Sequence, residues 1–198
     1  MIIPIILLMV RAIIFDCFGT LVGTSYFTFR NICPPERLKE LEDARTAADY
    51  GYLDRDSYAR RIGDIVGMSE ERVRAAIDQQ HVRNEPLIAY VKLLKRTYKT
   101  ALLSNVGSEV MERIFDEQEM KVLFDASVLS YEVGIVKPDR QIYMMVAEKL
   151  GVKPAECVMV DDRELFCTGA QAAGMMSVLH TRNHDTMRAI DRLLAKKA

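Results

Sequence analysis

Several features that would name a chemistry directly are missing from this sequence. Its four cysteines (Cys17, Cys33, Cys157, Cys167) form no C-x-x-C pair. Of its three histidines, only His180 and His184 lie close together, and no cysteine stands near them at zinc-ligand spacing. No structural zinc site is therefore expected. Without a secretion signal, the thiols read as free in a reducing compartment, which makes the cytoplasm the expected location. Neither charge sign is in excess: 27 Lys+Arg face 28 Asp+Glu, a net charge of −1. That balance argues against the basic field a nucleic-acid partner needs. Nor is there an apolar run of the roughly 20 residues that span a membrane. The apolar stretch Met1 to Val10 is broken by Pro4 and closed by Arg11, and it lacks the basic segment and small-residue cleavage site of a signal peptide. It reads as the lead-in to a first strand, with Met9 the expected native start. Internal repeats and low-complexity segments are absent too.

What remains is a globular composition in 198 residues, enough for one domain carrying a sizeable insertion. Five short apolar runs are bounded by polar or turn residues: Ala12–Phe15, Ala101–Leu103, Ala126–Leu129, Cys157–Val160 and Ser177–Leu179. Their hydrophobicity is continuous rather than alternating, as in parallel strands covered on both faces. Helical spacing fills the intervals. Leu87, Ile88, Val91 and Leu94 follow Asn84-Glu85-Pro86, with proline in the first turn. Ile142, Met145, Val146 and Leu150 lie in a stretch from Pro138 that stops at Gly151. A third helix follows Asp162 and ends near Gly174, with Gly169, Ala170, Ala172 and Ala173 small enough for close approach to a sheet. Strand–helix alternation of this kind predicts an α/β fold with a doubly wound parallel five-stranded sheet.

Residues 24–85 break the alternation, because they hold no strand run. Pro34-Pro35 opens a helix with Leu38 and Leu41 that stops before Gly51; a second spans about Ser57–Val66; Ser69 caps a third, with Glu70 and Glu71 in its first turn. A crossover normally uses one helix. Three predict an inserted all-helical cap, with residues 1–23 and 86–198 forming the core.

In open α/β sheets, ligands bind beyond the carboxyl ends of the strands. The first run ends at Asp16, the second at Ser104-Asn105 and the fourth at Asp161-Asp162, while Lys137 follows the third within one loop. Each alone has an ordinary reading as a turn or helix cap. Together they bring three carboxylates, a hydroxyl and one cation to one rim. Adjacent aspartates raise each other's pKa unless a cation intervenes, and an excess of carboxylate oxygens suits Mg²⁺.

Four ordered segments carry a family resemblance: Asp16-Cys17-Phe18-Gly19-Thr20-Leu21, Leu103-Ser104-Asn105, Gly134-Ile135-Val136-Lys137-Pro138-Asp139 and Val160-Asp161-Asp162-Arg163. They resemble the four motifs of the haloacid dehalogenase (HAD) superfamily, in the branch that holds sugar-phosphate phosphatases and haloacid dehalogenases. The resemblance implies a HAD-like Rossmannoid core with a small helical cap between the first two motifs. It makes Asp16 the nucleophile, and Mg²⁺ the cofactor, held by Asp16, the backbone carbonyl of Phe18 and Asp162, with Asp161 behind them. It assigns Ser104, Asn105, Lys137 and Thr20 to the phosphoryl group, with Ser104 and Lys137 counted among the catalytic residues. It makes Gly19–Gly23 a hinge. The expected reaction is hydrolysis of a small metabolite phosphate, such as a sugar phosphate, through an aspartyl-phosphate. No nucleic-acid or membrane partner is expected, and oligomeric state stays open.

Two residues depart from that pattern. HAD phosphatases usually carry a second Asp two positions after the nucleophile to exchange a proton with the leaving alcohol; here Phe18 stands there. The metal-free 2-haloacid dehalogenases of the superfamily carry an aromatic residue at this position, so dehalogenation by Asp16 is the alternative. It would need a cap cation for the haloacid carboxylate, with Arg30 and Arg45 the candidates, and Asp161-Asp162 opposes it by charge. Phe166 is the second departure, at a position where a polar residue is common. A binding module is the third reading; retention of Asp16, Ser104, Lys137 and Asp162 together opposes that one.

Overall fold

The protein is described from a computed structural model that covers residues 9–195; the lead-in expected over residues 1–8 lies outside the described residues. Five strands form one all-parallel sheet: β1 (Ala12–Phe15), β2 (Lys99–Ser104), β3 (Ala126–Leu129), β4 (Cys157–Asp161) and β5 (Met176–Leu179), in the order β3-β2-β1-β4-β5. The hydrophobic runs marked all five. β1 is central, pairing Ile13 with Thr100 on one side and with Val158 on the other.

Continuous hydrophobicity in β1 follows from two covered faces. Side chains alternate across a strand, so Ile13 and Phe15 pack on one side with Leu87, Val91 and Ile190. Ala12 and Ile14 pack on the other with Ile142, Val146 and Ala170. The first face is covered by α5 (Glu85–Leu94) and α10 (Asn183–Ala195), the second by α8 (Arg140–Leu150) and α9 (Glu164–Ala172). Gly169 on α9 meets α8 rather than the sheet: a Cβ there would come within 2.8 Å of Pro138 Cβ and 2.9 Å of the Tyr143 hydroxyl. Ala170 is the small residue that faces the sheet.

The long segment after β1 is helical, as its lack of strand runs predicted, but it holds four α-helices rather than three. They are α1 (Tyr26–Ile32), α2 (Leu38–Asp49), α3 (Arg55–Val66) and α4 (Glu70–Gln80). Helix α1 was not marked out in the sequence because it is only seven residues long, too short to establish a helical period. Pro35–Arg37 form a 3₁₀ turn ahead of α2, and α3 begins at Arg55 because Asp54 accepts a hydrogen bond from Ser57 N. Ser69 caps α4 through Arg72 N, as the sequence indicated. These helices share a separate apolar cluster that includes Phe29, Leu41, Ile62, Val73 and Ile77, so the insertion has a core of its own.

Two antiparallel connecting segments join the insertion to the sheet. Gly23 N donates to Val82 O, Asn84 N to Leu21 O, and the Asn84 side chain to Thr20 O. A third tie is lateral. The hydroxyl of Ser130, in the short helix α7 (Ser130–Val133), donates to Asp49 O at the end of α2 and accepts from Val106 N. The remaining helix, α6 (Glu117–Leu123), lies before β3.

Because Gly169 sits at a helix crossing with no space for a side chain, Gly169→Val is expected to destabilise the protein by about 1–3 kcal/mol, the usual cost of overpacking. Urea unfolding against wild type measures this; equal midpoints would contradict the packing argument.

Candidate active site

The carboxyl ends of β1, β2 and β4 converge. Asp16 follows β1 directly, and its N–H donates to Val160 O, which carries the strand pairing past the last residue of β1. Asp161 closes β4. Between the two carboxylates lies the ammonium of Lys137, 2.7 Å from Asp16 Oδ1 and 2.6 Å from Asp161 Oδ2. All three side chains are buried, and that of Lys137 is fully inaccessible. Burial alone would pull the Lys137 pKa down, but the two carboxylates outweigh it and hold the pKa above the ordinary lysine value. Asp16 is pushed up to about 8, first by burial and then by the charge of Asp161, with Lys137 opposing.

Asp162 completes the acidic group. One oxygen from each of Asp16, Asp161 and Asp162 lies within 4.8 Å of the others. Asp162 is raised to about 6 by burial and by Asp161, and its Oδ1 is buried without a hydrogen-bond partner. An unpaired buried carboxylate oxygen is costly. Asp161 differs, since Oδ2 receives Lys137 and Oδ1 receives Arg163 N at 2.9 Å. The group therefore carries one free buried oxygen, and its three carboxylates face one ammonium. Both features fit a divalent cation with oxygen ligands. The loop after Asp16 is shaped around Asp162: at Gly19 (φ +86°) a Cβ would fall 2.2 Å from Asp162 Oδ2, so only glycine allows that approach. Thr20 Oγ1, also buried, has no partner among the described residues.

Ser104 ends β2 and is fully buried. The Asn105 side chain is committed to the lysine loop: Oδ1 accepts from Lys137 N at 2.8 Å and Nδ2 donates to Lys137 O at 3.1 Å. Asn105 thus fixes the backbone from which Lys137 reaches the carboxylates, a role its neighbours in sequence did not reveal. Phe166 also takes on meaning. Its ring lies 4.8 Å from the Lys137 ammonium and 4.4 Å from the Arg163 guanidinium, and its carbonyl accepts from the Tyr143 hydroxyl. The aromatic face favours the two cations where a polar side chain was expected.

Above the rim, the cap and the core enclose a cavity of about 150 Å³. Phe18, Asn105 and Val106 line it from the core, and Tyr26, Arg45, Asp49, Tyr58 and His81 line it from the cap. The Phe18 ring packs against the His81 imidazole, 5.1 Å between centroids. Of the two cap cations named above, Arg45 reaches this cavity. It pairs with Glu42 at 3.2 Å and Asp49 at 3.8 Å, while its Nε is buried without a partner. Arg30 is directed elsewhere, to Glu42 and Tyr26. Asp49, Tyr58 and His81 were not singled out in the sequence. The four-residue spacing of Arg45 and Asp49 was the one available signal.

With this geometry in view, the chain is a member of the haloacid dehalogenase-like hydrolases, whose family model matches residues 10–174. Its relatives include enzymes of more than one chemistry. Phosphatase MT3486 of Mycobacterium tuberculosis is 31% identical over 102 residues, 51% of this chain and about half (47%) of that protein's length. The (S)-2-haloacid dehalogenase 4A of Burkholderia cepacia is 25% identical over 189 residues, covering 85% of this chain and 81% of that one. Among solved structures, a HAD family enzyme of Bacteroides thetaiotaomicron, crystallised with magnesium and inorganic phosphate, superposes with a TM-score of 0.70. It is 22% identical, over 87% of this chain and 94% of that chain.

Replacing Lys137 by Met leaves Asp16 and Asp161 buried without their cation. With EDTA present, a stability loss of about 3–5 kcal/mol is expected. Without the ammonium the Asp16 carboxyl, already raised by burial and by the charge of Asp161, holds its proton more tightly in the folded than in the unfolded state, so the deficit should shrink as pH falls. Denaturant titrations at pH 8 and pH 5 test this, and a deficit that grows on acidification would contradict it.

Proposed function

We propose that this hydrolase is a Mg²⁺-dependent phosphatase that cleaves small metabolite phosphomonoesters through Asp16. The observation that carries this reading is the group of three carboxylates facing one lysine, with a buried Asp162 oxygen left unpaired. A site for a haloacid, which brings its own carboxylate, gains nothing from that excess of negative charge. The phosphatase relative supports the same direction.

On this reading Asp16, Asp162 and the Phe18 carbonyl would hold Mg²⁺, which would supply positive charge against the repulsion between carboxylate and phosphate. Asp161 is spent on Lys137 and Arg163 N and lies behind these ligands. Asp16 attacks phosphorus in line, the alcohol departs, and water then cleaves the aspartyl-phosphate. Lys137 stabilises charge on Asp16 and on the transferring group, and Asn105 keeps it in place. Ser104, Thr20 and the Asn105 backbone are the hydrogen-bonding groups left for phosphoryl oxygens. Residues 24–85 act as the cap and choose the leaving group, residues 1–23 and 86–198 act as the catalytic core, and Gly19–Gly23 form the hinge.

Metal-free dehalogenation is the second reading, favoured by Phe18 and by Arg45 in the cavity wall. In it Asp16 attacks carbon and halide leaves without a proton. Two measurements separate the readings. Hydrolysis of p-nitrophenyl phosphate is expected to require Mg²⁺, to stop with EDTA, and to fall by at least about 10³-fold in Asp16→Asn, which removes the nucleophile. Halide release from 2-chloropropionate that survives EDTA would overturn the phosphatase reading.

Mg²⁺ is also expected to raise the melting temperature of wild type by binding only the folded state. That rise should shrink strongly in Asp162→Asn; an equal rise in both proteins would remove Asp162 from the metal site.

A further inference from the structure

Phe18 leaves the phosphatase reading without a proton donor beside the nucleophile, because its side chain has no titratable group. The cap carboxyls and histidine that line the cavity above the rim are Asp49, Asp54, Asp78 and His81; Asp54 caps α3 and Asp78 pairs with Arg55. His81 packs on the Phe18 ring, and the charges acting on it are those of Asp78 and Arg55, both in the cap.

Asp49 is placed differently. It is the last residue of α2, its side chain is 14% exposed, and its carbonyl is held by Ser130 Oγ. Ser130 also receives Val106 N, one residue beyond Asn105. The Asp49 backbone is thus tied to the segment that follows β2, and its carboxyl lines the same cavity wall as Phe18 and Asn105. Every element around it contributes a group: Arg45 from its own helix, the Tyr58 hydroxyl from α3, and from the core the charges of Lys137 and Arg163. Two of those belong to the catalytic rim.

We propose that Asp49 of the cap exchanges the proton with the leaving alcohol, replacing the acid that Phe18 does not supply. This rests on the phosphatase reading above. As the bond from phosphorus to the alcohol oxygen breaks, its electron pair stays on that oxygen. The Asp49 O–H proton moves to it and releases the neutral alcohol. The carboxylate left behind is stabilised by Arg45. In the second half-reaction Asp49 takes a proton from the attacking water, the bond from phosphorus to Asp16 breaks, and its electron pair returns to the Asp16 carboxylate. Phosphate leaves and Asp49 is again protonated. Burial raises the Asp49 carboxyl to about 6, against the opposing pull of Arg45, Lys137 and Arg163, so a protonated fraction is available in mildly acidic solution. The arrangement also makes proton delivery conditional on cap closure, since Asp49 belongs to the cap and its partners Lys137 and Arg163 to the core.

The test compares phenyl phosphate, whose leaving group needs a proton, with p-nitrophenyl phosphate, whose leaving group departs far more readily as an anion. In Asp49→Asn with Mg²⁺ present, the single-turnover rate of phenol release from phenyl phosphate, which reads the first half-reaction alone, should fall about 10²-fold, the lower range for general acid catalysis. The fall with p-nitrophenyl phosphate should be at least ten times smaller. The wild-type single-turnover rate with phenyl phosphate should decline as pH rises through about 6, because the protonated form donates. The Asn variant should lack that limb, and Asp49→Glu should restore part of the rate. Equal losses on both esters would assign Asp49 a structural or binding role and overturn the proposal. So would the same selective loss in His81→Gln with none in Asp49→Asn. Wild type inactive on both esters would sink the phosphatase reading itself, and this proposal with it.

Discussion

One fully buried ammonium holds the active rim together. Lys137 lies between Asp16 and Asp161, which end neighbouring strands and would otherwise face each other across a low-dielectric gap. A buried charge is tolerated only when paired and hydrogen-bonded, and the surroundings meet that condition from several sides. Asn105 grips the lysine backbone with both ends of its amide, and Phe166 lays its ring beside the ammonium. The loop from β3 to α8 must therefore cross to the rim, and β1, β2 and β4 must end level with it. Asp162 is left outside this compensation, and its unpaired oxygen defines where further positive charge belongs.

The insertion adds what the rim does not hold. Its helices enclose their own apolar cluster, separate from the two that cover the sheet. Two antiparallel connecting segments and the Ser130–Asp49 bond bring it over the strand ends. The resulting cavity is lined from the core by Phe18, Asn105 and Val106 and from the cap by Tyr26, Arg45, Asp49, Tyr58 and His81. Such a division suits a superfamily that keeps one nucleophile and varies its substrates. Phosphatase and dehalogenase relatives of this chain fit that picture.

Much of this was legible beforehand for identifiable reasons. A strand buried on both faces must be apolar throughout, so five runs reported five strands. Ligand chemistry gathers beyond strand ends, so the polar residue after each run was the right place to look. Phe18 and Phe166 were noticed as departures, but their partners, His81 and Lys137, lie 63 and 29 residues away in sequence. Helix α1 escaped because its seven residues are too few to establish a helical period, and α6 and α10 were not marked out either.

Asp49 shows where that legibility ends. A carboxylate at the end of an amphipathic helix reads as solvated, and only the docking of α2 on Ser130 buries it. By its own pattern the sequence determined the strands, the acidic residues at their ends and the existence of a helical insertion, because each follows from local periodicity or from position relative to a strand. Strand order, the commitment of Lys137 to two carboxylates at once, the free oxygen on Asp162 and the wall facing Phe18 were decided by tertiary structure. Those properties depend on which distant groups share a volume emptied of water, and that volume exists only after the chain has packed.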